Sequence, residues 1–128
     1  MKNLLVIAVD ENQTILKIIS DFLSILGHKV LIFTNLPELK KGNPSDLPAD
    51  ILIFSPDGMG EGNDDQIRKA HQLYPKADIV VLTNGQKPLR FEHAMDYGVF
   101  TYLNKPFKLG ELELIVARIG EKREHLLN

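Results

Sequence analysis

Five reactive side chains stand where apolar runs end. Asp10 and Glu11 close the run Leu4 to Val9, and Ser55 follows Asp50-Ile51-Leu52-Ile53-Phe54. Thr83 follows Ile79 to Leu82, and Lys105 lies just past Val99 to Leu103. Two carboxylates, two hydroxyls and an ammonium would therefore converge from distant parts of the chain. Carboxylates are the hard oxygen ligands that magnesium favours. A serine hydroxyl is a weak nucleophile without a base to take its proton. No histidine is placed beside Ser55 in the sequence to act as that base. His28, His71, His93 and His125 are widely separated, show no metal-ligand spacing and read as surface residues. No serine-histidine-aspartate order stands out, and Ser55-Pro56 lacks the glycine frame of a nucleophile elbow.

The elements that must position these residues are legible as two periodicities. Leu4 to Val9, Val30 to Phe33, Ile51 to Phe54, Ile79 to Leu82 and Val99 to Leu103 are continuous apolar runs without alternation. Such runs predict strands of a parallel sheet buried on both faces. Helical spacing fills the gaps. Ile15, Ile18, Ile19, Phe22, Leu23 and Leu26 form one inward stripe, stopped by Gly27. Leu109, Leu112, Ile115, Val116 and Ile119 form another, with Glu111, Glu113 and Arg118 off it, and Glu121 to Glu124 continue that helix. Asn63 and Gln66 read as a capping box before Ile67, Ala70 and Leu73. Pro88 suits the first turn of a helix carrying Phe91, Ala94 and Met95. Leu36 to Lys41 is a short helix among Pro37, Gly42, Pro44 and Pro48. Strand and helix alternate throughout, so right-handed crossovers give a parallel sheet covered on both faces. Ligands of such sheets collect at the carboxyl ends of the strands, where the five reactive residues stand.

Composition narrows the classes. The 128 residues suit one domain, residues 1–128, with residues from about 121 leading towards a linker. A 44% apolar and 25% charged chain is ordinary for a globular protein. A net charge of -2 gives no basic face for nucleic acid or an anionic membrane. The absence of cysteine excludes a disulfide framework, a thiolate zinc site and a cysteine nucleophile, and it fits a reducing cytoplasm. The apolar start is too short for a signal peptide and is stopped by Asp10-Glu11, so it reads as a strand. No apolar stretch is long enough to span a bilayer.

Val9-Asp10-Glu11-Asn12, Val81-Leu82-Thr83-Asn84 and Tyr97 to Phe107, with Tyr102 and Lys105-Pro106-Phe107, resemble in order and spacing the motifs of bacterial response-regulator receiver domains. The Lys105-Pro106-Phe107 step is weak alone; all the elements in order and at this spacing make a strong signal, and the resemblance covers essentially the whole chain. Three positions depart from the pattern: Glu11 stands for the usual second aspartate, Ser55 for the phosphoacceptor aspartate, and Asn84 where a small residue is more usual. The resemblance implies a doubly wound α/β fold of five parallel strands, order 2-1-3-4-5, flavodoxin-like. In the family the acidic pair and the acceptor hold magnesium, and a histidine kinase supplies the phosphoryl group. The threonine and lysine contact that group, and the threonine and an aromatic residue then shift. Carried over, Asp10 and Glu11 form the acidic pocket and Thr83, Tyr102 and Lys105 the switch and pocket residues.

Ser55 removes a charge and a strong ligand, and the extra methylene of Glu11 displaces its oxygens. Magnesium binding at Asp10 and Glu11 is therefore expected to be weak, with no other cofactor and no catalysis. The expected function is that of a pseudo-receiver, signalling through phosphorylation-independent protein–protein contact. Its expected partners are a signalling protein or output domain, a histidine kinase or a second copy of itself. Phe91, Tyr97 and Tyr102 mark the first candidate surface. Asp57, in Pro56-Asp57-Gly58, reads as a solvated turn aspartate. The alternative makes Asp57 a displaced acceptor in a working phosphorelay. A third reading is a flavodoxin-like nucleotide or flavin protein, against which Asp10 and Glu11 would repel phosphate. The glycines Gly58, Gly60 and Gly62 match no phosphate-binding pattern.

Overall fold

The computed structural model describes residues 3–42, 48–56, 63–84 and 95–127. Along the chain come β1 (Leu5–Val9), α1 (Gln13–Ile25), β2 (Lys29–Phe33), α2 (Leu36–Gly42), β3 (Ile51–Phe54) and α3 (Asn63–Leu73). They are followed by β4 (Asp78–Thr83), a 3-10 turn (Met95–Tyr97), β5 (Val99–Asn104) and α4 (Leu109–Leu127). The strands form one parallel sheet, as the uninterrupted apolar runs predict, in the order β2-β1-β3-β4-β5 that the resemblance implies.

Alternate residues of each strand point to opposite faces, and the sheet therefore carries two cores. On one face Ile7, Val9, Leu52, Phe54, Ile79 and Val81 meet Leu36 and Leu39 of α2 and Ile67 and Ala70 of α3. On the other, Val6, Ala8, Ile51, Ile53, Val80 and Leu82 meet Leu16, Ile19 and Leu23 of α1 and Leu112, Val116 and Ile119 of α4. This explains why the runs do not alternate: a central strand such as β3 is buried at every position. β2 departs from that expectation. It is an edge strand, and Ile32 is 43% exposed.

Helix faces differ from the simplest reading in a few places. Leu16, outside the expected α1 stripe, is buried, whereas Ile18 is 44% exposed. Burial at positions 16, 19 and 23 aims α1 squarely at the sheet and leaves Ile15, Phe22 and Leu26 on its flank, with Ile18 turned away. Leu73 and Leu109, both expected inward, sit at helix ends and are exposed. Met95 lies in the 3-10 turn and is also exposed; residues 88–94 of the helix expected there, Phe91 and Ala94 included, lie outside the described residues. Gly27 ends α1 at φ +97°, in the left-handed region that glycine enters without strain.

Two caps escaped the sequence reading. Asn12 Oδ1 accepts from the backbone N–H of Thr14 and of Ile15, and Asn35 Oδ1 accepts from that of Glu38. Each satisfies donors that a helix start leaves unpaired. In both cases an asparagine just before the helical pattern was the available signal.

His28 is half-buried rather than a plain surface residue, and its Nδ1 accepts from the N–H of Leu4 at 3.1 Å. Desolvation lowers its pKa from the ordinary 6.5. Above that value both folded and unfolded chains carry neutral His28, and its contribution to stability is complete. As pH falls through it the unfolded chain takes up the proton first, so stability declines with falling pH. Urea midpoints between pH 8 and pH 5.5 should fall for the native protein and fall less for His28→Gln. Parallel pH profiles in the two proteins would refute this assignment.

Candidate functional site

Sheet register brings the strand-end residues together. Val9, Phe54, Val81 and Tyr102 lie side by side across β1, β3, β4 and β5. Asp10 and Ser55 each come one residue beyond that row, at the same level. Backbone bonds continue the ladder past the strands: Ser55 N donates to Val9 O at 3.0 Å, and Asp10 N to Phe33 O at 3.2 Å. Lys105 N donates to Thr83 O at 2.7 Å, which anchors the lysine beyond the end of β4. The Lys105–Pro106 peptide is cis.

From there the Lys105 side chain reaches back over the ends of β4 and β3 to β1. Its ammonium lies 2.6 Å from Asp10 Oδ2 and donates to Ser55 Oγ at 3.0 Å. The Asp10 side chain is only 4% exposed and that of Lys105 16%, so the pair is shielded from water. Asp10 Oδ1 accepts from Asn12 N at 2.8 Å. Oδ2 is buried without an aligned hydrogen bond, so its close approach to Lys105 is held by charge attraction. In a poorly solvated pocket that attraction is much stronger than at the surface.

The remaining members fall into place differently. Glu11 is exposed and takes no part in the Asp10–Lys105 pair. Thr83 is half-buried and contributes its carbonyl. Tyr102 is half-buried, packed with Tyr97 against the core on the α2 and α3 face, and its hydroxyl is buried. These two aromatics, expected on a docking surface, are half-buried, each with part of its surface against the core; Phe91, the third, lies outside the described residues, and so does Asp57.

The arrangement limits the chemistry. The Lys105 ammonium donates to Ser55, so it is not a base for that hydroxyl. Among the described histidines, Nδ1 of His28 is bonded at Leu4, His71 lies against Gly98, and His125 is in the last turn of α4. None of these stands at the carboxyl ends of the strands. No three acidic, histidine or cysteine side chains among the described residues could share a metal ion. The buried carboxylate of Asp10 is already neutralised, and Ser55 is uncharged. That set falls short of the hard oxygen ligands magnesium takes, and the described residues do not fit the ion.

A second ionic cluster, at the opposite pole of the sheet, was missed in the sequence. Arg123 donates through Nε to Asp78 Oδ2 and through Nη1 to Asp50 Oδ1, both at 3.2 Å, and through Nη2 to Lys76 O at 2.7 Å. Lys122 Nζ lies 2.6 Å from Asp78 Oδ1. Nothing in residue spacing announces these partners, because they meet only once the strands are stacked.

Five parallel strands in the order 2-1-3-4-5 with helices on both faces match the response-regulator receiver fold. The two-component response regulator of Clostridium difficile superposes with a TM-score of 0.79 at 20% identity, over 94% of this chain and 98% of that one. A response regulator from Thermotoga maritima gives 0.78 at 22%, over 92% and 98%. The chemotaxis response regulator CheY4 of Vibrio cholerae gives 0.75 at 20%, over 92% and 99%. These likenesses establish the fold. In sequence, the chain is 27% identical over 113 residues to the DNA-binding transcriptional regulator NtrC of Azospirillum brasilense, covering 88% of this chain and 23% of that protein. It therefore spans about a quarter of the length of that relative. No family model matches the chain. Among the described residues, no helix is long and apolar enough to cross a membrane.

Proposed function

We propose that the chain is a receiver module of two-component-type signalling that acts by protein–protein contact, without phosphoryl transfer to Ser55 and without catalysis of its own. The observation that carries this reading is the Lys105 ammonium, ion-paired with Asp10 and hydrogen-bonded to Ser55 at once. A receiver's switch needs charge to arrive in this pocket; here an internal cation already neutralises the buried carboxylate. Among the described residues no histidine stands beside the neutral hydroxyl that replaces the acceptor, and a phosphoryl group there would form a stable ester rather than an acyl phosphate. The pocket then serves as a fixed strut joining β1, β3 and the segment after β5, and the module keeps one conformation. The partners this reading entails are a signalling protein or output domain, a histidine kinase that docks without transferring, or a second copy of the chain.

Intact mass after incubation with acetyl phosphate and magnesium tests the proposal, with Asp57→Asn treated in parallel. No adduct is expected in either protein. A phosphoryl group on the peptide that holds Ser55 would sink the proposal. An adduct that disappears in Asp57→Asn would place the acceptor at Asp57 and return the protein to the phosphorelay class.

A further inference from the structure

We propose that residues 121–125 of α4 form a detachable segment, held against the amino-end pole of the sheet by a charge clamp and, among the described residues, without buried apolar side chains. Buried apolar side chains run along α4 at Leu112, Val116 and Ile119 and, among the described residues, stop there. Gly120 is half-buried, and Glu121, Lys122, Glu124 and His125 are exposed. Arg123 returns to the protein, and its contacts are ionic and polar.

Asp50 Oδ1 receives Arg123 Nη1, while its Oδ2 accepts from Leu5 N at 2.8 Å. Asp78 Oδ1 receives Lys122 and Oδ2 receives Arg123 Nε. Lys122 Nζ also stands 5.5 Å from the centre of the Phe100 ring. One arginine therefore ties the starts of β3 and β4 and the Lys76 carbonyl to the end of the helix. The Arg123 bonds depend on a single side-chain position, so they are lost together when it moves, and of the ion pairs in the clamp only Lys122–Asp78 then remains. Among the described residues the hydrophobic anchor ends at Ile119, so moving residues 121–125 exposes little of the described apolar surface. The segment can then open as a unit while the helix up to Ile119 stays docked, a local opening well below global unfolding. Opening bares the Asp50 and Asp78 carboxylates at the amino-end pole, converting a neutralised patch into an acidic one. The inference does not depend on the state of the Ser55 pocket.

Amide hydrogen exchange read residue by residue tests it. In Arg123→Met, which keeps length and removes charge, amides of residues 121–125 should exchange about tenfold faster or more than in the native protein. Amides of Leu112 to Ile119 should change by less than about twofold, and Glu121→Gln should leave both groups unchanged. Unaltered exchange at 121–125 in Arg123→Met would overturn the proposal, as would equal acceleration along the whole helix. Should Arg123→Met fail to fold, the native protein decides. Its 121–125 amides are expected to exchange through an opening smaller than global unfolding and to speed up in about 0.5 M salt, which screens partly exposed pairs. Exchange of these amides only through global unfolding would refute the clamp.

Discussion

Replacing Lys105 by methionine should cost the fold about 3–5 kcal/mol, the penalty for leaving a buried charge without its partner. Methionine fills much of the lysine's space, so the loss is chiefly electrostatic. The Asp10 side chain, 4% exposed, would keep the Asn12 N–H and lose the only cation placed against it among the described residues. Ser55 would lose its ammonium donor at the same time. Asp10→Asn should cost less than Lys105→Met, because Lys105 is 16% exposed and can turn its ammonium towards water. In the double variant much of the loss should be recovered, since no buried charge remains. Urea unfolding of the four proteins measures this as a coupling energy. A loss below about 1 kcal/mol in Lys105→Met would mean that the pair behaves as a surface ion pair, and the strut would carry little.

Ile53→Ala, in the centre of β3, should destabilise by about 2–5 kcal/mol, whereas Ile32→Ala in β2 should cost about 1 kcal/mol or less. Both residues lie in uninterrupted apolar runs and look equivalent in the sequence. Ile53 is fully buried, flanked by Ala8 of β1 and Val80 of β4 and covered by the α1 and α4 face. Removing its side chain leaves a cavity that two neighbouring strands prevent from closing. Ile32 is 43% exposed on the edge strand, so water fills the space its truncation leaves. Equal losses would show that the edge of the sheet is covered in solution. Because Ile53 lies two residues before Ser55, its variant should also be compared with Lys105→Met, to separate a loosened core from a broken strut.

How much of this was legible beforehand depends on the range of the interaction. Strand existence and position could be read from runs of apolar residues, since burial on two faces selects side chains locally; β3 spans Ile51–Phe54, the run itself. Helix faces were legible to within a side chain or two. Ile18 was misjudged because a stripe of apolar residues is wider than the line that touches the sheet. The strand-end set, Asp10, Ser55, Thr83 and Lys105, was visible because each follows a run that must end at the same edge of a parallel sheet.

By itself, then, the sequence determined the class of fold, the alternation of elements and which residues gather at the carboxyl-end edge. Local patterning suffices for these, because a buried strand or an amphipathic helix is specified by its own side chains. Only the tertiary structure decided that Lys105 pairs with Asp10 and leaves Glu11 in solvent, and that it also holds Ser55, 50 residues away. It alone made Asp50, separated from Arg123 by 73 residues, part of a clamp on the last helix. Charge pairing has no periodicity along the chain. Its partners are chosen by distance and exclusion of water, and both exist only after the sheet has formed and its helices have closed over it.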